Sequence, residues 1–313
     1  MTSTAIAPDD TRTIVAGREP APTGRRAWAR RGPLLPALAF VIVVTQIPFV
    51  ITIVISFMNW NAAYPNDVWF GTLENYRSVL TDPLILRAVG VTVVLTVGTV
   101  FVSALLGMLI ALLLDRKFVG RGVVRTLIIV PFLIVPVAAA LVFKHAIFNT
   151  SYGLLNGTLT MLFGDDAPQL DIMSTAPLLA IGVVLVWQWT PFMMLIMLAG
   201  LQSRPLDVYE AAMMDGAGPW KVFRFVTLPH LRRYIELAVL LGTIYIVQNF
   251  DTVFTMTSGG LGTANLPYVI YQEFFVAQDY GVSSAVGVVV VVVSLVVATF
   301  ALRTASSLLK EES

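Results

Sequence analysis

A chain of 313 residues that is 57% hydrophobic and 12% charged, with mean hydropathy +0.81, is an integral membrane protein; a soluble domain carries about 25% charged residues. It has no cysteine, which excludes a disulfide framework, a thiolate nucleophile or a cysteine-ligated metal. The two histidines, His145 and His230, lie too far apart to form a metal-ligand spacing, and the net charge of +1 is less telling than where the charges fall.

Residues 1–33 are polar, basic and proline-containing, without an apolar core. They read as a disordered cytoplasmic tail rather than a cleavable signal. Crossing a hydrocarbon core of ~30 Å takes about 20 apolar helical residues, and six stretches approach this: Leu34–Phe57, Leu86–Leu114, Val123–Phe148, Ala176–Leu201, Ile235–Met256 and Gly281–Leu302. The third and fourth are interrupted by Pro131, Pro136 and Pro191, and proline inside a span kinks it and frees a carbonyl. Seventeen of the twenty Lys and Arg residues fall in the tail, after the second stretch, between the fourth and fifth, and after the sixth. By the positive-inside rule these segments, and both termini, are cytoplasmic. The opposite side holds Arg77, Arg87 and, near the outer end of the third span, Lys144, which can snorkel there with His145. Trp60, Tyr64, Trp69, Phe70 and Tyr76 crowd the first external connection, as an interfacial belt would. The expected organisation is a tail 1–33, a membrane domain 34–305 and a cytoplasmic segment 306–313.

The loop between spans four and five, 203–230, carries the most informative pattern. Asp207 to Met214 reads as a short amphipathic helix started by Pro205, with Asp207 and Glu210 at its positive end. Gly216 and Gly218 allow a sharp turn, Pro219 restarts a helix, and Pro229 marks the next break. Glu210-Ala211-Ala212, then Gly216, then Val226-Thr227-Leu228-Pro229 resembles the signature loop of bacterial ABC importer permeases, with Val226 for the usual isoleucine.

That resemblance implies an all-α membrane protein of the type I ABC importer permease fold: six transmembrane helices with a cytoplasmic coupling helix between spans four and five. Glu210, Ala211, Ala212, Asp215 and Gly216 would seat that helix in a groove of a partner ATPase. The chain itself has no G-x-x-x-x-G-K-[ST] phosphate loop, so ATP and Mg would sit on the partner and the chain would be no enzyme. The implied assembly is a second homologous permease, two ATPase subunits and an external solute-binding protein in the inner (plasma) membrane. Nucleic acid has no place in it.

Polar residues inside spans are costly and point to function. Trp187-Gln188-Trp189-Thr190-Pro191-Phe192 lies midway along span four; Tyr245, Gln248, Asn249 and Asp251 lie midway along span five. Aromatic faces stack on sugar rings or carbon chains, and amides and carboxylates bind hydroxyls, so a neutral, hydroxyl-rich solute suits this lining. The bland alternative is interhelical glue. The resemblance widens to the sugar branch of these permeases through Gly71-Thr72-Leu73-Glu74-Asn75-Tyr76, Trp189-Thr190-Pro191-Phe192, and Asn249-Phe250-Asp251 with Thr257-Ser258-Gly259-Gly260. By position it nominates Gln188, Trp189, Phe192, Tyr245 and Asn249 as substrate-binding residues; chemistry adds Gln248 and Asp251. Leu261 to Tyr268 is similar to polyol permeases, and the ending Leu308-Leu309-Lys310-Glu311-Glu312-Ser313 fits the first permease of a pair. The expected function is passage of a sugar or sugar alcohol by alternating access. Glycerol phosphate or a disaccharide such as trehalose is the alternative within the class, and a gradient-driven carrier or an intramembrane enzyme the alternative outside it.

Overall fold

The computed structural model describes residues 35–310 apart from 165; the expected tail 1–33 and the end of 306–313 lie outside the described residues. The chain divides into two units, Met1–Ile51 and Thr52–Ser313. In the first, Leu35 to Ile51 is helical and its side chains are exposed throughout. It includes a π-turn, Ile42–Gln46, where Thr45 Oγ1 donates to the Val41 carbonyl at 2.7 Å. This helix, α1 (Leu35–Ser56), is one of four long and apolar enough to cross a membrane.

In the second unit a two-residue antiparallel pair, β1 (Met58–Asn59) and β2 (Trp69–Phe70), precedes α2 (Glu74–Thr81). Asn75 is buried and donates to the carbonyls of Ser56 and Met58 at 2.9 and 2.8 Å; Tyr76 OH lies 2.6 Å from Ser56 Oγ. Tyr76 and Trp60, whose ring meets Tyr280 edge-on, therefore join segments, whereas Tyr64, Trp69 and Phe70 are exposed.

Helix α3 (Pro83–Asp115) starts on the Asp82 carboxylate, which accepts from the Leu84 N–H at 2.7 Å, with proline at its first position. It packs on α7 (Pro177–Gln202), and the contact is close because Gly107 sits in it. A Cβ at 107 would fall 2.8 Å from Met193 Cβ, so only glycine lets the two backbones approach this way. Met193, Met194, Met197, Leu198 and Leu201 of α7 fill the core there with Val100, Ala111 and Leu114 of α3. Leu231, Ala238 and Ile246 of α9 (Pro219–Val247) close it from a third side. The last helix, α12 (Tyr280–Lys310), runs on helically through residues expected to lie beyond the membrane domain.

The third expected span is two helices, α4 (Arg121–Leu133) and α5 (Pro136–Ile147), set at 95°. Ile134 and Val135 at the break are extended, as residues before a proline tend to be. Pro191, by contrast, does not interrupt α7, which is helical on both sides of it. Pro229 does not break the chain either, and this corrects the sequence reading. A π-turn, Phe223–Thr227, precedes it, in which Leu228 N–H bonds the Phe223 carbonyl; the wider turn absorbs the donor that proline lacks. The helix of the fifth expected span therefore begins in the polar loop and breaks later, between Val247 and α10 (Asp251–Thr257), with a 48° bend. Lys144 is half-buried, and its Nζ donates to the Thr255 carbonyl at 3.0 Å near the end of α10; it caps a helix rather than snorkelling.

Candidate functional site

Two places gather the residues singled out by sequence. The first lies where α7 faces the two helix breaks, and its rings are half-buried or exposed. Trp189 and Tyr245 stack at 5.7 Å between centroids, 25° apart. Phe192 meets Trp189 edge-on at 5.6 Å. Phe132, which the sequence did not single out, stacks on Phe192 at 5.4 Å and meets Trp189 at 5.7 Å. Four rings from α4, α7 and α9 thus share one cluster, and Tyr245 leaves 58% of its surface exposed. The i, i+3 spacing of Trp189 and Phe192 puts both on one face of α7. Phe132 arrives from more than fifty residues away, one residue beyond Pro131.

Gln188 turns the other way and is 4% exposed. Its Nε2 donates to the Ile134 carbonyl at 2.9 Å, at the break between α4 and α5, while its Oε1 is buried without a donor. Asn249 behaves similarly at the other break. Its Nδ2 reaches Thr252 Oγ1 at 3.2 Å, its backbone carbonyl accepts from Asn265 Nδ2 at 2.5 Å, and its Oδ1 is buried and unpartnered. Buried polar atoms are nearly always paired; besides these two acceptors, the hydroxyls of Thr96, Thr99 and Ser103 on α3 are also buried without a partner among the described residues. Gln248 is exposed at the end of α9, and Asp251 opens α10, where a carboxylate suits the positive helix end. No ring contact or hydrogen bond joins their side chains to the aromatic cluster among the described residues.

The second place is the polar loop. Helix α8 (Leu206–Met214) has no buried residue, and Pro205 is its N-cap, as expected. Gly216 takes φ +77°; its N–H bonds the Met213 carbonyl at 3.1 Å and the Ala217 N–H bonds the Ala212 carbonyl at 3.1 Å. These two bonds form a Schellman stop, which needs the left-handed residue that glycine provides most cheaply. Ala212 is half-buried; Glu210, Ala211 and Asp215 are exposed. Around them Leu206, Val208, Met213 and Met214 are also exposed, Met214 to 88%. Arg204 ties the helix down: its guanidinium lies 4.3 Å from the centre of the Tyr209 ring and 2.9 Å from Asp115 Oδ2, at the end of α3. Sequence reasoning counted Arg204 only as a positive charge. Its pairing with Asp115 crosses 89 positions and leaves no local signal.

The family described as "Binding-protein-dependent transport system inner membrane component" matches residues 103–307. The chain is 36% identical over 266 residues to a protein from Sinorhizobium fredii called "Probable ABC transporter permease protein y4oQ", covering 84% of this chain and 85% of that one. It is 33% identical over 272 residues to the "Trehalose transport system permease protein SugA" of Mycobacterium tuberculosis, covering 86% of each. Among solved structures, a chain of a bacterial ABC transporter involved in the import of the acidic polysaccharide alginate superposes with TM-score 0.75 at 20% identity, over 90% of this chain and 96% of that one.

Proposed function

This chain belongs to the family of binding-protein-dependent transport system inner membrane components, and we propose that it is the permease subunit through which an ATP-driven importer passes a neutral sugar or sugar alcohol. Membership makes it a non-catalytic membrane subunit of an ABC transporter and sets aside the gradient-driven carrier and the intramembrane enzyme. Counting each bent pair as one span gives six, with the polar loop between the fourth and fifth. The distribution of Lys and Arg supports cytoplasmic termini in the inner membrane.

In this reading α8 is the coupling helix. Its exposed Leu206, Val208, Met213 and Met214 surround Glu210 on a segment outside the membrane, and a patch of that kind marks a protein partner. An ATPase subunit would take α8 in a groove, with Glu210 as the polar contact and Gly216 fixing the angle at which the helix ends. A second permease, a second ATPase and an external binding protein complete the assembly, and nucleotide and Mg belong to the ATPases.

The observation that carries the substrate class is the four-ring cluster, with the unpartnered Asn249 Oδ1 four positions along the chain from Tyr245. Rings offer a stacking face, and lone acceptors are satisfied by hydroxyl donors, which a sugar supplies. The segments 187–192 and 245–251 contain no Lys or Arg, which argues against glycerol phosphate and against acidic sugars of the kind that the structurally similar alginate importer carries. The trehalose permease relative favours a disaccharide as the second reading.

The test is ATPase activity of the whole complex in lipid, with its binding protein, across polyols, monosaccharides, disaccharides and uronates. Stimulation by one neutral class supports the proposal and names the solute. Silence across the neutral panel with the complex intact overturns the carbohydrate reading. Failure of any ATPase to co-purify would instead remove the role given to α8.

A further inference from the structure

A cavity lies apart from the ring cluster, where α3, α4 and α7 diverge. It holds about 770 Å³ and runs along α3 from Val94 to Ile110, a rise of about 24 Å. Its walls are almost wholly aliphatic: Val102 and Leu106 of α3, Ile128 of α4 and Val186 of α7 are typical. Two glycines line it, Gly98 in α3 and Gly182 in α7, and a Cβ on either would meet no atom within 4 Å. Glycine in a helix interior is unfavourable relative to alanine. At Gly107 that cost permits helix contact; at Gly98 and Gly182 it only keeps space open.

The shape of the space selects its occupant. A single hydrocarbon chain fits along its length. Charge at one end says more. Ile110 and Ile128 mark the end of the groove nearest the α3–α4 connection, which carries Arg116, Lys117, Arg121 and Arg125. Arg125 is one turn from Ile128 and Arg121 one turn further. None of these four basic residues is in an ion pair among the described residues. Basic residues at the mouth of an apolar cleft between membrane helices are a fit for a phosphate headgroup.

We propose that this groove is a binding site for one anionic phospholipid, its acyl chain lying over Gly98 and Gly182 and its phosphate held by Arg121 and Arg125. The site is separate from the ring cluster and independent of which solute is carried.

The intact complex would be stripped in mild detergent, supplied with phosphatidylglycerol or phosphatidylcholine, and its retained lipids counted by native mass spectrometry. Wild type is expected to keep one phosphatidylglycerol for this chain and to prefer it over phosphatidylcholine by about tenfold or more. In R121Q/R125Q the preference should fall to parity while a lipid is still held. In G98L/G182L the lipid should be lost, because leucine fills the groove. An unchanged lipid count in G98L/G182L overturns the proposal, and so does loss of the second permease from that variant with its lipid retained, since the occupant would then be protein. Trp187 on the groove wall provides a readout that needs no groove-filling variant. Phosphatidylglycerol with brominated chains, at low mole fraction, should quench wild type more than brominated phosphatidylcholine, and Trp187→Phe should erase the difference. Equal quenching by the two lipids in wild type would also count against the site.

Discussion

The polar loop and the ring cluster are built by opposite means. Around Gly216 every defining hydrogen bond joins residues three to five positions apart, so the loop's shape is written locally and its face is left bare. Around Trp189 the defining contacts come from separate helices, and Gln188 alone reaches 54 positions to Ile134. One region is set by its own short-range hydrogen bonds and is exposed; the other is assembled by the fold. A single backbone change should therefore disable the first, whereas the second should weaken by steps.

The largest effect is expected from Gly216→Pro. Proline cannot adopt φ +77° and has no N–H for the Met213 carbonyl, so the helix stop is lost. ATP-driven uptake should fall to background while the protein still inserts and the complex still hydrolyses ATP; Gly216→Ala, which keeps the N–H, should retain part of the uptake. Normal uptake in the proline variant would mean that the angle of α8 does not matter.

Trp189→Ala should come next, since it removes three ring contacts at once. With one stacking face for the solute lost, at ~0.5–1.5 kcal/mol, half-saturation should rise roughly two- to tenfold, with the ATPase still bound. A shift confined to maximal rate would place the rings in packing rather than binding. Asn249→Ala should raise half-saturation about fivefold, the value of one hydrogen bond near 1 kcal/mol, and unchanged solute selectivity in that variant would return Oδ1 to a structural role. Arg204→Lys keeps a charge for Asp115 but loses the flat face on Tyr209, so a drop in coupled uptake of about two- to threefold is expected.

The smallest effect concerns Glu273, away from both regions. Burial, and then the charges of Asp279 and Asp82, hold its carboxyl above the usual value. A carboxyl raised in the folded state contributes stability at low pH that is lost as pH rises through its folded value. Glu273→Gln should flatten that decline in thermal melts, and an unaltered pH profile would show that neither burial nor the two neighbouring acids raise this carboxyl.

The same contrast decides what sequence could tell. The loop was legible because its turn depends on residues close in the chain: Pro205, Gly216 and Pro219 each took the part their backbone chemistry suggests. The long apolar helices were legible from length and composition, as were the aromatic residues of α7. Phe132 was not, because its contact with Trp189 depends on how far the chain turns at Ile134. Gln188 was nominated for solute, yet half of its amide holds a helix break. Pro229 was misread because the rule that proline ends helices overlooks the wider turn that can accommodate it.

That wider turn has a mechanical consequence. Pro219 to Val247 is helical without interruption, a strut of about 43 Å at 1.5 Å per residue. One end abuts the stop that closes α8, and the other ends one residue short of Gln248 and two short of Asn249. Were the strut to pivot at its loop end by about 5°, the far end would sweep about 4 Å, enough to separate or reunite a pair of stacked rings. A chain broken at Pro229 would dissipate such a movement at the membrane surface. The π-turn lets this one carry it to Tyr245.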